Sequence, residues 1–131
     1  MRRILLIFTG GTICSCPTGK DNKNQSNARM MVGSWNDLLK IFRRKELTNE
    51  CEGVIVLHGT DTFAYNAALL SLALVGFKKP VCMVSAQLNL HNPKSNGYTN
   101  FRASVELIMN GIKPNMYVVY RNLLDKDHTP W

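Results

Sequence analysis

Two short segments of this sequence combine glycine with side chains that could take part in catalysis. They are Thr9-Gly10-Gly11-Thr12-Ile13 and His58-Gly59-Thr60-Asp61-Thr62, and each follows a run of apolar residues. The glycines permit a tight turn with positive φ, which leaves backbone N–H groups free to bind an anion or a developing oxyanion. A threonine hydroxyl at such a turn can act as a nucleophile when a base or a positive charge activates it. Asp61 could orient a substrate amine or hold a water or a lysine.

Each segment also has a purely structural explanation. A pair of glycines can simply turn the chain, and this pair lacks the later residues of a Walker A loop or a dinucleotide-binding fingerprint. Thr60 or Asp61 can be the N-cap of a following helix, where the helix dipole favours a carboxylate. His58 ends an apolar run and is expected to be hydrogen-bonded scaffolding. A shared site therefore requires neighbouring strands, with Thr12 facing Thr60 and Asp61.

The predicted strands are four short, continuous apolar runs, typical of a parallel sheet covered on both faces: Ile4–Phe8, Val54–Leu57, Val81–Val84 and Met116–Tyr120. They alternate with helical patterns, which predicts an α/β fold with a doubly wound, mainly parallel sheet and helices on both faces. Right-handed crossovers then place the C-terminal ends of the strands along one edge, where such folds bind ligands. Both threonine-bearing turns should line that crevice.

Three helices are predicted between the strands. The first has an apolar face at helical spacing behind an N-cap at Ser34. The second, Phe63–Val75, is apolar nearly all round, which predicts deep packing, and Gly76 ends it. The third runs from about Thr99 to Met109. The polar, aperiodic segment Cys14–Arg29 predicts a mobile loop that could cover the crevice as a lid, although an insertion without a role explains the same composition.

Length and composition indicate one globular domain, residues 1–131, of which 45% are hydrophobic and 19% charged. No apolar run approaches the roughly 20 residues that cross a bilayer. The net charge of +7 comes from short scattered groups, which favours a solvated surface over nucleic-acid binding. The four cysteines lack zinc-finger spacing, and Cys51 and Cys82 are predicted to be buried. We therefore expect a cytoplasmic protein without a metal site.

The order of these segments resembles the bacterial-type L-asparaginase family, and most of all its cytoplasmic type I branch. The two glycine-threonine segments are similar to the two threonine signatures of that family. Further similarities follow in chain order, to the turn after the next strand, to the Asp-Gly-x-x-Asn entry of the following helix, and to the strand that leads to the catalytic lysine: Val84–Leu88, Asn96–Asn100 and Tyr117–Asn122. The resemblance covers nearly the whole chain.

The resemblance implies hydrolysis of L-asparagine to L-aspartate and ammonia, with no metal and no organic cofactor. Thr12 would match the nucleophile that forms the acyl-enzyme. Thr60 would match the second catalytic threonine, and Asp61 the aspartate that contacts the α-amino group of the substrate. The other substrate-binding positions, which contribute backbone groups, would be Gly11, Gly59 and Ala86.

The sequence departs from the family pattern at four points. Residues Ile13 to Phe63 contain no tyrosine to match the one in the family's lid. No Asp-Ser element, which binds the substrate carboxylate, lies between Thr12 and Thr60, only 48 positions apart. Lys126 is the sole candidate for the catalytic lysine, and its surroundings do not match. The chain ends at Trp131, so we expect the smaller C-terminal domain to be absent and the face it would cover to promote a homo-oligomer.

Loss of one proton-transfer or oxyanion group commonly costs about a hundredfold or more in rate. Weak or absent turnover is therefore expected of the chain as it stands. Two other functions stay open. The first is the amidase-like subunit of a tRNA-dependent amidotransferase, which shares both threonine signatures and which the basic charge favours, although that family carries an extra N-terminal domain. The second is a catalytically inactive paralogue that binds an amino acid or a protein partner.

Overall fold

The computed structural model describes residues 1–18, 23–26 and 34–123, with side chains for 1–14 and 34–123. A single 3-10 turn covers Thr12–Cys14. In chain order the strands and longer helices are β1 (Ile4–Phe8), β2 (Ser15–Thr18), β3 (Lys23–Ser26), α1 (Trp35–Arg43), α2 (Lys45–Thr48), β4 (Gly53–Leu57), α3 (Phe63–Ala73), β5 (Val81–Val84), α4 (Gly97–Met109) and β6 (Met116–Val119).

The predicted parallel sheet is confirmed. Its strand order is β1-β4-β5-β6, and every neighbouring pair is parallel. Phe8 lies opposite Leu57, Leu57 opposite Val84, and Val84 opposite Val119, so the four strands of this sheet end in line at one edge. We call this the C-terminal edge. The strand boundaries differ from the prediction by one residue, since β4 includes Gly53 and β6 ends at Val119.

Helices cover both faces of the sheet, as predicted. Alternate strand residues point to opposite sides, so Val54 and Val56 pack with α1 and α3, whereas Ile55 and Leu57 pack with α4. All four side chains are buried. Burial of one such aliphatic side chain stabilises the fold by roughly 1.5–3 kcal/mol. The two apolar layers hold the sheet rigid beneath the turns that leave its C-terminal edge.

The expectation that all crossovers are right-handed is wrong. α3 connects β4 to β5 and α4 connects β5 to β6, so both move the chain in the same direction across the sheet. The two helices nevertheless pack on opposite faces. Crossovers that move the same way on opposite faces must have opposite hands. Residues 85–96, between β5 and α4, provide enough chain to pass to the other face. The position of the C-terminal edge is unaffected, because it requires only parallel strands.

Two helix predictions also need correction. α3 packs against the sheet through Ala67 and Leu70, but its outer side is exposed: Leu72 is 72% exposed and Val75, just beyond the helix, 82%. The predicted deep packing is wrong, because no residue in the described ranges covers that side. α4 begins at Gly97, two residues earlier than expected. The N-cap of α1 is confirmed, since the Ser34 hydroxyl accepts a hydrogen bond from the Asp37 amide at 3.2 Å.

Part of the segment predicted to be an irregular loop is a β-hairpin. β2 and β3 are antiparallel, with Ser15 opposite Ser26 and Thr18 opposite Lys23. Backbone hydrogen bonds hold such a pair, so a polar hairpin needs no apolar alternation. The lid role stays a prediction, and residues 19–22 and 27–33 of that region lie outside the described residues. None of the helices in the described ranges is long and apolar enough to cross a membrane.

Candidate active site

The first glycine turn leaves β1 at the C-terminal edge. The Thr9 amide and hydroxyl both donate to the Leu57 carbonyl, at 2.9 and 2.8 Å, which ties the exit of β1 to the end of β4. Gly10 and Gly11 have φ values of +119° and +84°, so the predicted positive-φ turn is confirmed. The Cys14 amide then donates to the Gly11 carbonyl at 3.0 Å and closes the 3-10 turn. Thr12 is therefore the residue directly after the glycine turn.

The second glycine turn leaves β4 and packs backbone to backbone against the first. A Cβ atom added to Gly11 would overlap the Cα of Gly59, and one added to Gly59 would lie 3.2 Å from the Cα of Gly11. A side chain on Gly11 does not fit between the two turns, and one on Gly59 fits only tightly. Because Thr12 follows Gly11 and Thr60 follows Gly59, the contact brings the two threonine-bearing turns together at one edge.

The N-cap explanation of Thr60 and Asp61 is wrong. The N-cap of α3 is Thr62, whose side chain makes no capping hydrogen bond, and the first turn of the helix contains no acidic residue. Thr60 and Asp61 are exposed. Among the residues that the structure describes, the side chains of Thr12, Thr60 and Asp61 make no hydrogen bond or ion pair. Two hydroxyls and one carboxylate are therefore uncommitted beside the glycine contact.

His58 is structural, as the sequence predicted. Both ring nitrogens are hydrogen-bonded, Nδ1 to the Gly59 carbonyl at 2.7 Å and Nε2 to the Asn66 side chain at 2.8 Å. The backbone of His58 is also held, since its amide donates to the Val84 carbonyl at 2.9 Å. With both nitrogens occupied, the ring is not available as a base for Thr12.

A third turn, after β5, meets the second at the same edge. The Ser85 hydroxyl donates to the His58 carbonyl at 2.7 Å, and Ser85 is fully buried. Ala86 is also fully buried and would touch a Cβ added to Gly97 at 3.0 Å. The Ser85 hydrogen bond therefore ties this third turn to the turn that carries Thr60, and Ala86 packs against the start of α4.

Two buried asparagines support this edge, a role that the sequence patterns did not predict. The Asn100 side chain donates to the Ser85 carbonyl and accepts from the Arg121 amide, both at 2.9 Å. Asn96 accepts from the Gln87 amide at 3.0 Å and donates to the Arg121 carbonyl at 2.6 Å. Together they tie α4 to the exits of β5 and β6. The sequence did contain one indication of this role, namely two asparagines four positions apart at the start of a helix that follows a buried strand.

Two cavities flank the touching turns. On the α1 and α3 face a cavity of about 320 Å³ lies beside Thr9 and His58. On the α4 face an almost wholly apolar cavity of about 210 Å³ is lined by Ile13 and Leu57, among others. Tyr98 is the one polar side chain among those that line the apolar cavity, whereas the larger cavity has several, so a polar substrate finds hydrogen-bonding groups on the α1 and α3 face and at the turns themselves.

The three cysteines whose side chains the structure describes are buried or half-buried. Cys51 and Cys82 are buried, which confirms the prediction for both. Burial raises the pKa of the Cys14 thiol above its ordinary value, although a hydrogen bond with the Gly10 backbone opposes the shift. A thiol kept neutral is a poor metal ligand and a poor base. The side chain of Cys16 and the whole of Lys126, the candidate lysine, lie outside what the structure describes.

The sequence is similar to proteins of known families. A family model described as asparaginase, N-terminal, matches residues 17–125. That range contains the second turn, Ala86 and both buried asparagines, and it begins after Thr12. A glutamyl-tRNA(Gln) amidotransferase subunit of Pyrococcus horikoshii is 38% identical over 76 residues, which are 58% of this chain and 17% of that protein. An L-asparaginase of Dirofilaria immitis is 35% identical over 72 residues, 55% of this chain and 12% of that protein.

A solved structure shares the fold. L-asparaginase I from Vibrio cholerae superposes with a TM-score of 0.69 and 21% identity, over 93% of this chain and 45% of that one. The chain thus spans under half of that structure and, in its aligned parts, under a fifth of the curated relatives. The family model nevertheless covers most of the described residues, and the chain belongs to the asparaginase family.

Proposed function

We propose that this chain carries a threonine-based amidohydrolase site that acts on the side-chain amide of L-asparagine. In the first step the Thr12 oxygen bonds to the amide carbon, the C–N bond breaks, and ammonia leaves with the hydroxyl proton. In the second step water adds to the resulting ester, which releases L-aspartate and restores the hydroxyl. The reaction needs no oxidant and no organic cofactor.

The observation that carries the proposal is the backbone contact between Gly11 and Gly59. Thr12 and Thr60 each follow one of the two touching glycines, and no side chain lies between the turns. The hydroxyls are not used in capping or in other hydrogen bonds to described residues. Two free hydroxyls and a free carboxylate at the ligand-binding edge of a parallel sheet are suited to grip a small amide.

The other roles follow from position. Backbone N–H groups at the Gly11 turn would stabilise the tetrahedral oxyanion. Asp61, exposed at the second turn, would hold the α-amino group of the substrate, while Gly59 and Ala86 would offer backbone groups. Ala86 is fully buried, so it contributes by fixing the third turn, and a direct contact with the substrate would require that turn to move.

We expect turnover by this chain to be weak. Residues 13–63 contain no tyrosine and no Asp-Ser pair, so a group for proton transfer and an anchor for the substrate carboxylate are both missing from the span between the two turns. We also propose that copies of the chain associate, which the exposed apolar side of α3 supports. Light scattering over a concentration series tests the association.

The test of the proposed activity is ammonia release from L-asparagine, followed for the natural chain and for Thr12→Ala and Thr60→Val. Both variants should fall at least tenfold, as expected for loss of a nucleophile or its partner, while Thr12→Ser should retain part of the rate. Equal slow release by the natural chain and Thr12→Ala would show that the nucleophile assignment is wrong. Binding of aspartate by calorimetry without any ammonia release would identify an inactive, amino-acid-binding paralogue instead.

A second candidate function has support from the similarity to glutamyl-tRNA(Gln) amidotransferases. In that case the same threonines would release ammonia from an amide donor for transfer to a glutamyl-tRNA. Ammonia release from glutamine that rises when glutamyl-tRNA is added would favour this function. Release from asparagine that is indifferent to tRNA would favour the first.

A further inference from the structure

The His58 ring lies between the second glycine turn and α3, and its contacts determine where its proton is. Nδ1 is 2.7 Å from the Gly59 carbonyl oxygen, which can only accept, so Nδ1 carries a proton. Nε2 is 2.8 Å from the amide nitrogen of Asn66, which can only donate, so Nε2 offers its lone pair. These contacts fit the tautomer with the proton on Nδ1.

The same Asn66 side chain also holds the far end of the turn. Its amide nitrogen is 3.1 Å from the Thr62 hydroxyl oxygen, so its two hydrogens serve two acceptors. The Asn66 backbone amide adds a hydrogen bond to the Thr62 carbonyl at 2.9 Å. One side chain thus fixes Gly59 through the histidine ring and Thr62 directly. Between these two points lie Thr60 and Asp61.

Beyond Gly59, other support for this turn is slight. Thr62 makes no side-chain capping bond, and the Phe63 amide reaches the Thr60 carbonyl only at 3.3 Å. Asparagine is a poor residue for a helix interior, because its side chain competes for backbone groups. The Asn66 side chain instead reaches back over the first turn of α3 and makes hydrogen bonds with His58 and Thr62. We call the set His58, Asn66, Gly59 and Thr62 the turn clamp.

We propose that Asn66 is a positioning residue for the reaction: through the turn clamp it holds Gly59 against Gly11 and thereby sets Thr60 and Asp61 relative to Thr12. The proposal rests on the proposed function, because that function assigns chemistry to Thr60 and Asp61. Asn66 itself need not touch the substrate. It acts through the His58 ring, whose tautomer it fixes, and through the ring on the Gly59 carbonyl. A different residue at position 66 would change these contacts.

The first test does not depend on activity. Nitrogen-15 spectra of the His58 ring should show Nδ1 protonated and Nε2 unprotonated in the natural chain. In Asn66→Asp, measured at the same pH as the natural chain, Nε2 should also carry a proton, because a carboxylate accepts a hydrogen bond from Nε2. In Asn66→Leu the backbone amide signals of Gly59, Thr60 and Asp61 should shift. Ser71→Ala is the matched control, since Ser71 lies on the same helix and bonds only within it, to the Ala68 carbonyl at 2.7 Å.

The second test uses ammonia release. Asn66→Leu should lower kcat/KM by about tenfold to a hundredfold, the scale expected when catalytic groups are misplaced by about 1 Å. Asn66→Asp should restore part of that loss, because the protonated ring can still bridge Gly59 and residue 66. Ser71→Ala should match the natural chain. If Asn66→Leu does not fold, Thr62→Val replaces it in both tests, because it removes only one hydrogen bond of the turn clamp. It should shift the same backbone amide signals by a smaller amount.

The outcomes separate this proposal from the proposed function. A proton on Nε2 in the natural chain, or turn amides unmoved in both Asn66→Leu and Thr62→Val, overturns the turn clamp whatever the activity. The expected spectra with undiminished kcat/KM in Asn66→Leu overturn the positioning role while the proposed function stands. If the natural chain releases no ammonia, the proposed function fails. The positioning role is then tested by calorimetry, which compares the aspartate affinities of Asn66→Leu and the natural chain. Equal affinities overturn the positioning role.

Discussion

Gly11 and Gly59, which follow two neighbouring parallel strands, are in direct backbone contact at the C-terminal edge of the sheet. The contact has no room for a Cβ atom on Gly11, and only a tight fit for one on Gly59. Two turns that pack this closely cannot move independently. The relative position of Thr12 and Thr60 therefore depends on this backbone contact, which the turn clamp supports from the side of α3.

Gly11→Ala should be strongly destabilising for two reasons that add. Alanine at φ +84° costs roughly 1–2 kcal/mol, and the overlap with Gly59 adds a further overpacking cost of about 1–3 kcal/mol. We expect the free energy of unfolding to fall by about 2–5 kcal/mol in urea titrations, and the folded fraction to lose ammonia release.

Gly76→Ala isolates the backbone part of that cost. Gly76 has φ +82°, nearly the value of Gly11, but nothing lies within 4 Å of an added Cβ. Its loss should be limited to roughly 1–2 kcal/mol. Equal losses for the two variants would contradict the contact between the glycine turns.

Asn100→Leu should weaken the support of the C-terminal edge. The fully buried side chain of Asn100 satisfies the Ser85 carbonyl and the Arg121 amide, and leucine would leave both without that partner. Each unsatisfied buried group costs about 1–3 kcal/mol, so the free energy of unfolding should fall by roughly 2–6 kcal/mol in total. Arg102→Ala on the same helix removes only an exposed ion pair with Glu106 and should change stability by under about 1 kcal/mol. A small effect of Asn100→Leu, similar to that of Arg102→Ala, would refute the network.

Cys82 should make the fold less stable in alkali. Burial raises the pKa of the Cys82 thiol from 9.0 to about 11, against a smaller lowering by its hydrogen bond with Ser104. Between those values the unfolded chain releases the thiol proton while the folded chain keeps it, so the free energy of unfolding falls as the pH rises. Well below pH 9 both states are neutral and this contribution stays constant.

The measurement is a comparison of urea titrations at a pH below 9 and at one between 9 and 11, for the natural chain and Cys82→Ala. Other groups titrate in the same range, but they do so in both proteins. The natural chain should therefore lose more stability than the variant across the window. Parallel losses would mean that the thiol does not remain protonated in the folded state.

The elements of the sheet were predictable because their signals are local. A continuous apolar run such as Val81–Val84 needs burial on both sides, and Ser34 before an apolar face is a capping residue in any context. Such patterns could not predict the handedness of the crossovers, nor that the outer side of α3 is exposed. The outer residues of α3 are as apolar as the inner ones, so composition could not show that one side of the helix is exposed in the described structure.

The sequence by itself determined which residues stand at the ends of the strands: the glycine turns, Thr12, Thr60 and Asp61, all of which depend on order along the chain. Only the tertiary structure decided which of these ends touch and which side chains are already engaged. Thr62, and not Thr60 or Asp61, begins α3, and Asn100 bonds to Arg121 across the edge of the sheet. Such partners are set by strand order and register, which bring distant residues together through packing and leave no periodic signal in the residues concerned.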